Sequence, residues 1–451
     1  MHNNINDNTH SELYDKFITN NTIDQNLFEK YNVKRGLRNA DGTGVMAGLT
    51  NICNVHGYLV NEGEKQAIPG ELIYRGYNIN DLVENVCNEK RFGFEETIYL
   101  LLMGNLPTKA ELEHFTSALN EFRELPPHFF DDIILKGASS NIMNKLARCI
   151  LALYSYDETP ELQTADNEMI IAMSIISRLP VMMVNSYQVK KRYYNNKSLV
   201  IHPLRNNESI AETILSTLRS NREYTAEEAQ LLDLLLMLHA EHGGGNNSTF
   251  TCRVLTSSGT DAYSAYAAAI GSLKGPKHGG ANIKVMEMLD FMKENISNWD
   301  NEGEVADYMK KLLSKEAGDR SGLIYGMGHA VYTISDPRAI ILKKHAFELA
   351  KNTPFEAEFK LLETCEKLTP QLFAEAKGDI KTVCANVDMY SGLVYKMLGI
   401  PSDLFTPLFA VSRMPGWCAH RFEEGVTGKR IIWPAYKSVF KSREYTPIDK
   451  R

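Results

Sequence analysis

One histidine, His278, sits in the stretch LKGPKHGGAN between a Gly-Pro turn and a Gly-Gly pair, with apolar, helix-like sequence on either side. Gly275 and Pro276 break the chain ahead of it. Gly279 and Gly280 carry no side chain, so backbone or a ligand can come close behind it. Two further breaks of the same kind follow: YGMGHAVYTISDPR holds His329 and Arg338, and NVDMYSG holds Asp388. An acid, two imidazoles and an arginine in glycine-punctuated loops are the components of proton abstraction beside a carbonyl.

Other chemistries fit less well. HAEHGGGNN, from His239 to Asn247, crowds two histidines and a glutamate together, but zinc proteases need H-E-x-x-H or H-x-x-E-H to set both imidazoles on one helical face, so no metal site is expected. The triple glycine Gly243 to Gly245 is followed by no Lys-Ser/Thr and preceded by no strand, which excludes a phosphate loop. A helix stopping at glycine with His242 at its end suits presentation of one imidazole to a small anion. No G-x-S-x-G elbow is present, and the seven cysteines are scattered singly without a C-x-x-C pair, which argues against covalent catalysis, a disulfide framework and a zinc ribbon, and fits a reducing compartment.

The elements that must position these residues read as helices. Thr108 with Glu111, and Thr225 with Glu228, are Ser/Thr-x-x-Glu capping boxes that start two of them. After the second box the run Leu231 to Leu238 is apolar on nearly every face, which predicts a buried helix. DAYSAYAAAIGSL, from Asp261, predicts a closely packed helix ending at Gly275-Pro276. Asp388 reads either as acid/base or as a helix N-cap, with a helical run opening at Ser391-Gly392. Extended sequence is confined to VHGYLV and GELIYRGY, a short hairpin. The fold class is mainly α.

A chain of 451 residues exceeds what one core of about 250–300 residues accommodates, so two domains are expected. From Ile283 to Lys381 the composition turns more charged, suggesting a smaller, more solvated helical unit inserted in the chain. The longest uninterrupted apolar runs fall far short of the ~20 residues of a membrane helix, so no membrane span is expected. A net charge of −7 gives no electrostatic reason to expect nucleic acid. Lys190, Lys191 and Arg192 form the densest basic cluster, read equally as a solvated helix end or a phosphate contact. The polar, asparagine-rich residues 1–30 lack the features of a targeting peptide, and a loosely ordered tail on a cytoplasmic protein is expected.

Taken together, LHAEHGGGN, GPKHGGAN, GMGHAVYTISDPR and NVDMYSG resemble the citrate synthase family, in that family's order and at compatible separations. The resemblance runs from about Arg35 to about Ser438. It implies a two-domain, nearly all-helical fold, with a large domain (31–278 and 393–451), a small inserted helical domain (279–392) and a site in the cleft between them. It implies a homodimer or a higher oligomer, with no tightly bound cofactor and acetyl-CoA as co-substrate.

By the same resemblance Asp388 removes a proton from the acetyl-CoA methyl group, and His278 hydrogen-bonds the thioester oxygen as the enol forms. His329 polarises the oxaloacetate ketone and protonates its oxygen, and citryl-CoA is then hydrolysed. His242, Arg338 and Arg413 hold the substrate carboxylates. Coenzyme A lies along Leu323 to Gly328, touching Leu323, Gly326 and Gly328, with Lys190, Lys191 and Arg192 as a phosphate contact. The implied enzyme is an acyltransferase forming citrate, or 2-methylcitrate where propionyl-CoA is used. One position departs from the family: KRIIWPAYKSV has Trp433 before Pro434, where relatives place an arginine that reaches into the partner subunit's site. Arg430, three residues earlier, is the candidate substitute. Without one, the chain is slow, takes another keto acid, or is a non-catalytic binder of CoA or dicarboxylates.

Overall fold

The structure is a computed structural model that describes residues 7–62, 64–377 and 383–451. Positions 1–6 of the expected tail and 378–382 of the expected inserted unit lie outside the described residues. The fold is mainly helical, at 58% helix. Among the described residues, those up to Leu49 form one compact unit and those from Thr50 onward another. In the first, a helix spans Asp7–Asn21 inside the stretch read as a loosely ordered tail, with Leu13 and Phe17 exposed on it.

The second unit carries the core, and its helices begin where the sequence marks them. Thr108 Oγ accepts the Glu111 N–H at 3.3 Å while Glu111 accepts the Thr108 N–H at 2.7 Å, and Thr225 and Glu228 reciprocate at 3.2 and 2.9 Å. A third box, Ser209 with Glu212, starts the helix Ile210–Leu218. The helix Ala226–His239 is buried from Leu231 to His239, as its all-round apolar sequence requires. The small-residue helix Ala262–Leu273 starts at an Asp261 cap and stops two residues before Gly275-Pro276. All seven cysteines are free thiols.

Two elements differ from the sequence reading. The helix Ala165–Asn195 is long and apolar enough to cross a membrane, but 78% of its most apolar window is buried inside the protein, so it is a core helix. Uninterrupted apolar runs miss it because Ser174, Ser177 and Ser186 break the sequence while facing the core. The helix at NVDMYSG opens at Asp388, not at Ser391-Gly392, and runs to Met397.

The extended segment is an antiparallel hairpin, β1 (Cys53–Asn61) and β2 (Glu64–Tyr74), with a two-residue β3 (Tyr77–Asn78) at its edge. Its face lies directly on residues 331–335. A Cβ at Gly70 would collide with the Ser335 carbonyl and the Tyr332 ring, so only glycine permits this approach. The Gly70 N–H donates to Ser335 Oγ at 3.1 Å and the Tyr332 hydroxyl to the Glu71 carbonyl at 3.0 Å, fastening the hairpin to the loop that carries His329.

Candidate active site

The helix Phe405–Thr427 packs beside Ala226–His239 and Asn247–Ser257. At 3.6 residues per turn, Arg413, Trp417 and His420 share one of its faces, and all three are fully buried. Arg413 Nε donates to the carbonyl of His239, the last residue of its neighbour, at 2.6 Å. Helix Ala226–His239 ends there, four residues before the first glycine, and the turn that follows carries His242.

His242 Nε2 lies 2.9 Å from His329 Nε2. On the other side of its ring, His329 Nδ1 accepts the backbone N–H groups of Val331 and Tyr332, both at 3.1 Å. Two donors at Nδ1 leave the hydrogen on Nε2, so His329 presents an N–H to His242. Tyr332 stacks on the His329 ring at 4.6 Å. Burial, with Arg338 and His329 nearby, holds the His242 imidazole well below its ordinary pKa, and its Nδ1 is buried without a partner.

Arg338 and Asp336 form a buried fork: Nε and Nη2 donate to the two carboxylate oxygens at 3.0 and 2.7 Å. Burial opposes the Arg338 charge, but Asp336 outweighs it and holds the guanidinium above its ordinary value. Arg413 is fully buried and both of its terminal nitrogens lack a partner. Burial pulls its pKa down, with Glu241 the first group to oppose that.

His278 Nε2 lies 3.0 Å from Ser248 Oγ and accepts the Ser248 N–H at 3.3 Å, which leaves Nδ1 to carry the hydrogen. The Trp417 indole N–H donates to the same Ser248 hydroxyl at 3.2 Å. Burial, then Arg413, push the imidazole down to about 4, so it is neutral at pH 7. Asp388 is the first residue of its helix and does not act as its side-chain cap; its own N–H is taken by Asn386 Oδ1 at 3.0 Å. Burial raises its carboxyl to about 6, against the lowering effect of Arg338 and Arg413.

The two arginines tie these groups into one electrostatic site. Arg413 acts on His242, His278 and Asp388, and Arg338 on His242 and Asp388. Residues 326–328 reach it through the backbone. Met327 bridges Ala385, Gly328 N–H donates to the Cys384 carbonyl at 2.8 Å, and Asn386 Nδ2 donates to the Gly328 carbonyl at 2.8 Å. A Cβ at Gly326 would run into Met389, beside Asp388.

Leu323, half-exposed, stands at the outer end of that segment. The basic cluster is held elsewhere: Lys190 pairs with Asp403 at 2.5 Å and Lys191 donates to Gln188 at 3.3 Å. Among the described residues, Lys190, Lys191 and Arg192 make no hydrogen bond or ion pair to residues 323–328. Arg430 and Trp433 lie past the end of the helix Phe405–Thr427 in a non-helical arm, where Trp433 is 87% exposed.

Sequence reasoning missed the partners. Asp336 stood inside the quoted DPR motif, and its spacing to Arg338 was the available signal. Ser248, Trp417 and Tyr332 gave none, since each acts through a neighbour set by tertiary packing. No group of three or more metal-ligating side chains occurs among the described residues.

The arrangement offers a carboxylate poised near neutral pH, two neutral imidazoles with defined donor nitrogens, and two guanidinium groups. These suit removal of a weakly acidic C–H proton, donation to developing oxyanions, and binding of a carboxylate-bearing substrate. A family model described as citrate synthase, C-terminal domain, matches residues 39–435. The citrate synthase of Saccharolobus solfataricus is 34% identical over 93% of this chain and 99% of its own. The 2-methylcitrate synthase 1 of Corynebacterium glutamicum is 35% identical over 84% of this chain and 92% of its own. A Thermoplasma acidophilum citrate synthase solved as a ternary complex of carboxymethyl coenzyme A and oxaloacetate superposes with a TM-score of 0.75, at 26% identity over 93% of this chain and 99% of that one.

Proposed function

The chain belongs to the citrate synthase family of acyltransferases, and on that premise we propose that it condenses acetyl-CoA with oxaloacetate and water to give citrate and CoA. The observation that carries this reading is Arg413: a fully buried guanidinium with no hydrogen-bond partner for either terminal nitrogen, which acts electrostatically on His242, whose own Nδ1 is buried without a partner. Burying an unpaired cation is costly, and a substrate carboxylate supplies what is missing.

In the proposed reaction Asp388 takes a proton from the acetyl methyl group while His278, neutral and with Nδ1 carrying the hydrogen, stabilises the thioester oxygen of the enol. The methylene carbon attacks the oxaloacetate ketone, and His329 gives its Nε2 proton to the new alkoxide. Water then cleaves the thioester and CoA leaves as the thiol. His242, Arg338 and Arg413 hold the carboxylates. Leu323, Gly326 and Gly328 line the CoA path, Lys190 to Arg192 contribute to its phosphates, and no tightly bound cofactor takes part.

His242, His278 and Arg413 come from the proposed large domain (31–278 and 393–451), and His329, Arg338 and Asp388 from the proposed small domain (279–392), which supports a cleft site. A homodimer is part of the proposal. Residues 428–447 form an arm with Ile431, Trp433, Tyr436 and Phe440 exposed, apolar surface that a second copy covers. Seven free thiols support a cytoplasmic setting.

A second reading, propionyl-CoA as donor and 2-methylcitrate as product, is favoured by the equally similar 2-methylcitrate synthase relative. Thiol release with acetyl-CoA and propionyl-CoA, each with and without oxaloacetate, separates the two by their kcat/KM. Release abolished by Asp388→Asn supports the assigned base, and steady release by that variant refutes it. No oxaloacetate-dependent release with either thioester leaves a non-catalytic relative.

A further inference from the structure

Glu241 is fully buried beside the site and takes no part in the proposed reaction. Its Oε1 accepts the Gly243 N–H at 2.5 Å and the His420 Nε2 hydrogen at 3.0 Å. Its own N–H donates to the Tyr74 hydroxyl at 3.3 Å, and that hydroxyl lies 3.1 Å from its carbonyl. His242 is the single residue between these anchors, so its backbone is fixed on both flanks. A Cβ at Gly416 would run into the Glu241 carboxylate, so that glycine leaves the space in which the carboxylate sits.

His420 is held in turn. Its Nδ1 takes hydrogens from Arg253 Nε at 3.1 Å and Nη2 at 2.7 Å, and because a guanidinium only donates, the ring hydrogen must be on Nε2, where it meets Glu241. Arg253 also pairs with Glu424 at 2.8 Å and with Glu423, whose other oxygen accepts the Asn51 N–H at 2.7 Å. A buried ionic chain of this kind contributes little net stability compared with apolar packing of the same volume. What it does provide is direction, since Arg253 can only donate to His420 Nδ1 and so turns the single ring hydrogen of His420, on Nε2, toward Glu241.

We propose that Glu241, aligned by His420 and Arg253, is a positioning residue that fixes His242 and thereby sets the affinity of the site for its keto-acid substrate. This rests on the reading of oxaloacetate as that substrate. Glu241 is also the carboxylate that most supports the charge of Arg413, so one side chain serves both substrate-binding groups.

The test is calorimetric binding of oxaloacetate to the full chain, with KM and kcat from thiol release. Glu241→Ala weakens oxaloacetate binding about 10- to 100-fold, the scale of a small misplacement of a binding group, and raises its KM in step while the KM for acetyl-CoA stays unchanged. Glu241→Gln, whose amide oxygen accepts the same two hydrogens, recovers most of the affinity. Should Glu241→Ala fail to fold, His420→Leu against His420→Gln carries the same comparison, because glutamine still offers a donor and an acceptor. A purely structural role lowers the unfolding temperature and leaves the dissociation constant of the folded fraction unchanged. That result, or a Gln variant no better than Ala, overturns the proposal alone. A wild-type chain that does not bind oxaloacetate overturns the functional reading and this proposal with it.

Discussion

Arg338 and Arg413 are both buried and both act on His242 and Asp388, yet they are held in opposite ways. Arg338 comes with its own counter-charge, Asp336, two residues away in the same turn, in a two-pronged contact at 2.7 and 3.0 Å. Arg413 has one hydrogen bond, from Nε to the His239 carbonyl, and lies over the Phe409 ring at 4.8 Å, while its two terminal nitrogens have no hydrogen-bond partner. A buried guanidinium with a carboxylate partner is a finished structure. One without a hydrogen-bonding partner is costly to bury, and under the proposed function a substrate carboxylate would offset that cost. The local difference is one of sequence distance: Asp336 is supplied by the loop itself, whereas Glu241, the carboxylate that supports Arg413, acts across a helix contact.

Removing each arginine should therefore break different properties. Arg413→Leu takes away half of an ion pair that forms only with substrate. A loss of about 2–5 kcal/mol is expected, which is roughly a 30-fold to several-thousandfold rise in the KM for oxaloacetate. Its effect on thermal unfolding is smaller, since only the His239 carbonyl is left without a donor. Arg338→Leu strands the Asp336 carboxylate in the interior and should destabilise the protein by about 3–5 kcal/mol. Unfolding of the two variants by heat or urea checks this. Equal destabilisation would mean that Arg413 is already paired through Glu241 and that the contrast is false.

The same two cations govern the base. Asp388 is raised by burial to about 6, with Arg338 and then Arg413 pulling the other way. The carboxylate is the active form, so kcat/KM should rise with pH through about 6 and level off above it. His278, at about 4, and His242, held well below its ordinary value, stay neutral across that range, so neither supplies that limb. Arg413→Leu removes one of the lowering charges, and the inflection should move upward. A profile that is flat from pH 5 to 8 in the wild type would show that the base is not this carboxylate.

What the sequence made legible was local. Capping boxes at Thr108 and Thr225, the small-residue helix after Asp261 and the hairpin strands are written within a few residues of where they act, and all stand where the pattern put them. The glycine loops single out His278, His329 and Asp388 as candidates because a backbone that must approach closely needs residues without side chains. The supporting groups were not legible. Trp417 reaches Ser248 across 169 positions, and His420 reaches Glu241 across 179, so neither spacing carries a signal. Tested for zinc spacing, HAEH gave the wrong chemistry to look for: its glutamate faces a histidine from another helix. The start of the Asp388 helix was placed one turn late because Ser391-Gly392 reads as a break, although both residues are buried within it.

A third cation sharpens the contrast from the surface side. Lys190 has a partner, as Arg338 does, but its ion pair with Asp403 is open to solvent, with the two side chains 15% and 43% exposed. Partly solvated pairs of this kind are worth about 0–1 kcal/mol and weaken with salt. Lys190→Ala should therefore change stability little. If the lysine contributes to coenzyme A binding at all, it must first leave Asp403, so the KM for acetyl-CoA should rise at most a few-fold, and less at high ionic strength. Asp403→Asn frees the ammonium and should lower that KM if the cluster faces the phosphates. No movement of the KM in either variant would remove Lys190 from the site and leave Leu323 to Gly328 as the CoA-facing segment. Burial would then be the property that separates the cations that act from the ones that decorate.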